Sequence, residues 1–331
     1  MQLLHSATRN YSWGSRTLIP HLQGQPDADK PIAELWFGAH PGDPSTVDGR
    51  LLNEVIAEDP AGQLGSRVSA EYGERLPFLL KVLAAEEPLS LQAHPSKSQA
   101  EEGFARENAA GIKLTASNRN YKDDNHKPEL IVALTDFYAM AGFRPLAQTR
   151  ELFAALGCPE LDHYVAMLDD DPSAATESAN LRVLFTTWIT IPSAKRKELI
   201  GAIVAAGERL ISADADDWKS RVMSTVLDLN QRYPGDIGVL GALLLNHIEL
   251  SPGEAVYLDA GQLHAYVSGL GVEIMANSDN VLRGGLTPKF VDVPELVKVL
   301  IYAAAEEPRV QQQDKSAQDN VHEAAAWSYP V

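Results

Sequence analysis

Ser90-Leu91-Gln92-Ala93-His94-Pro95 alternates polar and apolar residues and follows the apolar run Leu76-Pro77-Phe78-Leu79-Leu80-Lys81-Val82-Leu83. Successive side chains of a strand project to opposite faces, so Ser90, Gln92 and His94 share one face and Leu91 and Ala93 the other. An amide oxygen and an imidazole nitrogen then converge on one spot. Such a pair suits a metal ion if a carboxylate and a second imidazole arrive from elsewhere in the chain. On these residues alone, a polar strand face turned to water is the simpler reading.

Composition narrows the field. The chain has 331 residues, enough for two or three domains, and its 28 Lys and Arg stand against 45 Asp and Glu, a formal net charge of -17. Such a chain repels nucleic acid and anionic membranes, and a small anionic substrate requires a few cations gathered in one pocket. Cys158 is the single cysteine. No intrachain disulfide or cysteine-based zinc site can form, so any metal depends on His, carboxylate or amide ligands. No basic segment leading into an apolar block is read at the start of the chain. The most apolar window, Ile237 to Leu245, falls short of the ~20 residues that span a bilayer. A cytoplasmic protein is expected.

Texture changes along the chain. Strands are predicted over Ala33–Gly38, Pro77–Leu83, Glu129–Leu134 and Phe137–Phe143, with short helices over Leu51–Glu58, Ser66–Tyr72 and Ser98–Asn108. Helical spacing then takes over: Leu199, Ile200, Ile203, Val204, Leu210 and Ile211 recur with that period, as do Trp218, Val222, Met223, Val226 and Leu227. Strand character returns at Gly253–Leu258 and continues through His264, Tyr266 and Val267, and a further helix is predicted over Val293–Ala305. Sheet that is interrupted and resumed implies a discontinuous β domain, 1–145 with 248–300, buttressed by a helical insert over 146–247.

Gln92, His94, Glu129 and His264 are the candidate ligands, each in or beside a predicted strand. Gly253-x5-Asp259-Ala260-Gly261-x2-His264 resembles the second motif of cupin barrels, with Asp where that motif usually has Pro. The fold class read from this is mainly β with an α insert, a cupin jelly-roll barrel. A closer resemblance rests on Leu91-Gln92-Ala93-His94-Pro95, Asn125-His126-Lys127-Pro128-Glu129, Gly261-Gln262-Leu263-His264-Ala265-Tyr266 and Ser278-Asp279-Asn280-Val281-Leu282-Arg283-Gly284-Gly285-Leu286-Thr287-Pro288-Lys289. These segments resemble the signatures of the type I mannose-6-phosphate isomerase (phosphomannose isomerase) family.

The resemblance implies one Zn(2+) held by Gln92, His94, Glu129 and His264, and interconversion of mannose 6-phosphate and fructose 6-phosphate on the way to GDP-mannose. It places Arg283 in the active site, with Ser90, Lys127, Glu273, Tyr266 and Lys289 lining the cleft. A monomer is expected. The family also carries a second, C-terminal jelly roll, whose start would fall at 301–331 and which is expected to be incomplete here.

The chemistry can be matched to these side chains. Moving a proton between C1 and C2 through an enediol needs a base, a cation for the developing oxyanion, and a grip on the phosphate. Glu273, placed nine residues after His264 across an expected glycine-rich turn, is the preferred base. Lys127 is a candidate for acid or oxyanion duty. A guanidinium stays protonated, so Arg283 is assigned to charge stabilisation or phosphate contact. Ser90, Lys97 and Lys289 are candidate phosphate contacts, although each lysine reads as well as an ordinary solvated charge. Neutral Gln92 would leave the ion more positive than a second carboxylate would. His40 and His126 read as surface histidines, Trp13 and Trp36 as core aromatics, and Cys158 as a packing residue. Two other classes stay open: another metal cupin enzyme, an epimerase or oxygenase, and a sugar-phosphate-binding cupin without turnover.

Overall fold

The computed structural model describes residues 2–169, 173–213 and 216–304, together with short strands at 309–310, 313–314 and 327–328. The strands that position the site are β1 (Ala7–Arg9), β2 (Glu34–Gly38), β3 (Phe78–Ala85), β4 (Leu91–Ala93), β5 (Glu129–Ala133), β6 (Phe137–Phe143), β7 (Leu245–Leu250), β8 (Ala255–Leu258), β9 (His264–Ala276) and β10 (Leu282–Gly285).

β9 belongs to two sheets. Its second half, Gly269–Ala276, pairs antiparallel with β3 and β5 in a sheet ordered β1-β2-β3-β9-β5-β8. Its first half pairs antiparallel with β4 and β6 in a sheet ordered β10-β4-β9-β6-β7. Leu83, Ile131, Phe137, Ala139, Ile248, Val256 and Tyr266 form one apolar cluster drawn from both sheets. This is the jelly-roll barrel expected from the sequence.

The glycine-rich turn expected before Glu273 does not form. The backbone stays extended through Ala276, and the glycines instead let two segments come close. At Gly269 φ is +123°, and a Cβ there would lie 2.6 Å from the Asp136 carbonyl oxygen. A glycine in a strand marks either a turn or such an approach, and the local sequence does not separate them.

Between β6 and β7 the chain forms helices at Leu146–Leu156, Pro159–Val165, Ala174–Ile189, Ser193–Ala213, Trp218–Arg232 and Ile237–Ala242. Leu199, Ile200 and Ile203 bury with Val222, Met223 and Val226, and the same core takes in Leu91, Ala93 and Leu282 from β4 and β10. The helical layer therefore covers one face of the second sheet, and each fully enclosed Leu or Ile contributes about 1.5–3 kcal/mol by leaving water. Cys158 is buried in this core.

Two boundaries differ from expectation. The helical stretch, read as reaching 247, ends at Ala242, and Leu245 already begins β7. Leu243-Leu244-Leu245 is apolar under either period, so periodicity gives no boundary there. The helix expected over Val293–Ala305 ends at Val299. From Leu300 the burial alternates, with Leu300 and Tyr302 enclosed and Ile301 exposed, as it does in extended chain. The expected start of a second jelly roll at 301–331 lies mostly outside the described residues. Among the described residues no helix is long and apolar enough to cross a membrane.

Candidate active site

Register places the first row of the site. His264 is the antiparallel partner of Gln92, and Gln92 is in turn the partner of Arg283. Directly paired residues project to the same face, so these three side chains form a row across β9, β4 and β10, opposite the buried Leu91 and Ala93. His94 continues the row along β4. Glu129 arrives from the other sheet as the first residue of β5, so the site joins the two sheets.

His94, Glu129 and His264 are all buried and offer donor atoms within 4.8 Å of one another. His94 Nε2 lies 3.4 Å from Glu129 Oε1, and His264 Nε2 lies 3.3 Å from Glu129 Oε2. Donors set tetrahedrally at the usual zinc distances stand roughly 3.3–3.4 Å apart, so these spacings fit one ion. The Gln92 amide nitrogen is 3.4 Å from His264 Nε2, and a half-turn of the amide presents its oxygen there instead.

The outer bonds prepare the ligands. His94 Nδ1 is 2.7 Å from the Asn280 carbonyl oxygen, and His264 Nδ1 is 2.9 Å from that of Gln262. A carbonyl only accepts, so each Nδ1 carries the proton and each Nε2 turns its lone pair inward. Burial, and then the Lys127 charge, lower the His94 pKa to about 4, which keeps the ring neutral at pH 7. Burial alone would raise the Glu129 carboxyl, but Lys127, His94 and His264 outweigh it and hold it well below the usual carboxylate range. Its Oε2 is enclosed yet, among the described residues, has no hydrogen-bond donor. An ionised carboxylate with one oxygen facing each imidazole lone pair is a donor set that fits a cation.

A second cluster faces the first. Glu273 is buried on β9, and its Oε1 accepts a 2.9 Å hydrogen bond from the Tyr266 hydroxyl. Lys81 Nζ lies 2.9 Å from Glu273 Oε2 and 3.5 Å from Glu34 Oε1, while Glu34 also accepts from the Trp36 indole at 2.8 Å. Burial pushes the Glu273 pKa up; Lys81 opposes the rise and the Glu129 charge adds to it. Burial would lower the Lys81 pKa, but Glu273 and Glu34 reverse the direction and raise it. Burial, then Glu273, raises the Tyr266 phenol well above its ordinary value.

Cations complete the site. Lys127 Nζ is 2.7 Å from Glu129 Oε1. Arg283 is half-buried, its pKa lowered by burial, and among the described residues it has no hydrogen-bonding or ionic partner. Partial burial, then the Arg283 and Lys122 charges, lower the Lys289 pKa, which marks three cations as neighbours. In a chain of net charge -17 a small anionic substrate requires cations such as these near its site.

Ser90 is half-buried beside the β4 row, next to Leu89, whose N–H bonds the Tyr266 carbonyl at 2.9 Å. Lys97 is not brought to the centre. Its Nζ donates to the Asp124 carbonyl at 2.7 Å, and it lines a neighbouring cleft of about 770 Å³ with Lys122 and His126. His40, expected at the surface, is buried, edge-on to Trp36 and 3.4 Å from Asp279. The sequence reading missed Lys81 and Glu34. A lone charge inside the apolar run Phe78–Leu83 was the signal available for Lys81.

The architecture is matched elsewhere. Residues 1–146 match the model of the phosphomannose isomerase type I catalytic domain. The chain is 42% identical over 305 residues to mannose-6-phosphate isomerase of Escherichia coli K12, covering 90% of this chain and 74% of that protein. It belongs to the type I phosphomannose isomerase family. The human mannose-6-phosphate isomerase is 37% identical over 322 residues, covering 90% of this chain and 72% of its own length. Among solved structures, a mannose 6-phosphate isomerase bound with zinc and yttrium superposes with a TM-score of 0.83 at 37% identity, covering 100% of this chain and 80% of that one. The Salmonella typhimurium phosphomannose isomerase bound to fructose 6-phosphate and zinc gives a TM-score of 0.82 at 37% identity, covering 95% and 78%.

Proposed function

We propose that the chain interconverts mannose 6-phosphate and fructose 6-phosphate as a zinc-dependent aldose-ketose isomerase. Gln92, His94, Glu129 and His264 would hold the ion. Bound there, zinc supplies positive charge to the sugar oxygens at C1 and C2.

Glu273 takes the proton from C2 of the open-chain aldose as the C–H electron pair forms the C1–C2 double bond and the carbonyl pair moves onto O1. The hydroxyl proton then passes from O2 to O1, the O2 pair closes the C2 carbonyl, and the proton on Glu273 is returned at C1 to give the ketose. The raised Glu273 pKa brings this carboxylate closer to neutrality, where a base both accepts and gives back a proton. Tyr266 and Lys81 hold its two oxygens in place. Lys127 donates toward the enediolate oxygen. Arg283, unpaired until substrate arrives, stabilises charge there, and Ser90 with Lys289 receives the phosphate.

The observation that carries this reading is the placement of Glu273 on the strand that delivers His264, near enough to the donor triad for Glu129 to raise its pKa. Lys97 is left out of the phosphate grip because its ammonium is engaged at Asp124. A monomer working in the cytoplasm, its reverse reaction supplying mannose 6-phosphate for GDP-mannose synthesis, completes the proposal. Phosphorus or carbon NMR of zinc-loaded chain with mannose 6-phosphate should show fructose 6-phosphate growing to equilibrium; an unchanged spectrum from folded, zinc-loaded protein would refute it.

A further inference from the structure

We propose that Asn280 is a positioning residue that sets two parts of the site together, the His94 imidazole through its carbonyl and the loop carrying Lys127 through its side chain. The inference rests on the isomerase reading and adds a residue to it.

Asn280 is fully buried. Its backbone oxygen is the 2.7 Å partner of His94 Nδ1. Its Oδ1 accepts from the backbone N–H of Lys122 at 2.7 Å and of Asp123 at 3.2 Å. Its Nδ2 donates to the carbonyl oxygens of Asp123 at 2.9 Å and Asn125 at 2.8 Å, and to Asp123 Oδ1 at 3.1 Å. Both donors and the acceptor oxygen of the amide are therefore in use.

The neighbouring residues lock the same two segments. Ser278 donates to Asp123 Oδ1 at 2.8 Å and receives the Asn280 N–H at 3.2 Å, while the Asp279 N–H bonds Asp123 Oδ2 at 2.8 Å. Asn125 stands two residues before Lys127, whose Nζ is 2.7 Å from Glu129 Oε1 and 3.5 Å from His94 Nε2. A shift of the Asn280 side chain would thus move the carbonyl that orients His94 and the backbone that delivers Lys127. Aspartate has the same shape but cannot donate. It would set a carboxylate against the oxygens of Asp123 and Asn125, and alanine would leave those buried groups unpaired.

The test uses the full chain with Asn280→Asp and Asn280→Ala. Zinc competition against a chromophoric chelator should show about 10- to 100-fold weaker binding, the range for losing an outer-shell partner of a ligand. At saturating zinc, kcat for mannose 6-phosphate should fall about tenfold or more while KM stays within about threefold, because Lys127 acts on the reacting oxygens and Asn280 touches no substrate. A lower unfolding midpoint with zinc affinity and kcat at parental values would overturn the proposal, since it would mean a packing role only. If both variants fail to fold, Ser278→Ala, which removes one tie of the lock and keeps the amide, should still weaken zinc; parental affinity there would also overturn it. An inactive parent would sink the isomerase reading, whereas the zinc titration would still decide the hold of Asn280 on His94.

Discussion

The ammonium of Lys81 lies 2.9 Å from the Oε2 of Glu273, and both groups are buried. This cation opposes the burial that pushes the Glu273 pKa up. Removing it in Lys81→Met should raise that pKa further, so less of the base is ionised at a given pH. The acid limb of kcat/KM against pH is expected to move about one unit or more to higher pH. Leaving two buried carboxylates without their partner should also cost about 3–5 kcal/mol of stability, read from denaturant unfolding. An unmoved acid limb would mean that Glu273 is not the titrating base.

Metal binding and proton transfer fall on different residues. His264→Ala removes one of three buried donors and should lose bound zinc and activity together. Glu273→Gln keeps the hydrogen-bonding shape and all metal donors, so zinc content should stay near one per chain while kcat drops by about 10²–10⁴. Metal analysis and steady-state kinetics on the same samples separate the two, and a parental rate in Glu273→Gln would remove it as the base.

The two-sheet path of β9 depends on Gly269. With φ at +123° and a Cβ position 2.6 Å from the Asp136 oxygen and 2.8 Å from Phe137 Cα, Gly269→Ala meets both strain and backbone collision. A loss of about 2–4 kcal/mol is expected, seen as a lower unfolding midpoint. A midpoint equal to the parent would show that the bend can form without glycine.

Much of the site was legible because alternation on a short strand is a local signal. Gln92 and His94 share one face while Leu91 and Ala93 pack on the helical layer from the other, as the alternation implied, but the polar face meets His264 and Glu129 instead of water, which the six residues alone did not favour. Arg283, Tyr266 and Glu273 also reach the site. What stayed hidden is non-local. Lys81 and Glu34 meet Glu273 only once three strands are in register, and His94 is oriented by a carbonyl 186 residues away. The length of β9 was missed because glycine permits both a turn and a close approach. The end of the helical layer was missed because a leucine run fits both periods.

The joint between that layer and the barrel should be acid-sensitive. His247, partly buried on β7, bonds the Ala242 carbonyl at 2.9 Å, and burial followed by the Arg144 charge lowers its pKa to about 3. Unfolded histidine titrates near 6.5, so between about 6.5 and about 3 the unfolded chain binds the extra proton. The stabilising contribution is complete above about 6.5 and falls as pH drops, by at most about 1.4 kcal/mol per unit. His247→Gln removes the titration, and its unfolding midpoint should fall less steeply below pH 6.5 than the parent's; equal slopes would contradict the assignment.

The most direct test of the zinc isomerase account is a coupled assay for fructose 6-phosphate formation from mannose 6-phosphate, run on one preparation before chelation, after it, and after zinc is returned. The account predicts turnover, its loss and its recovery in that order. Turnover indifferent to chelation, or none from a folded, zinc-loaded chain, would contradict it.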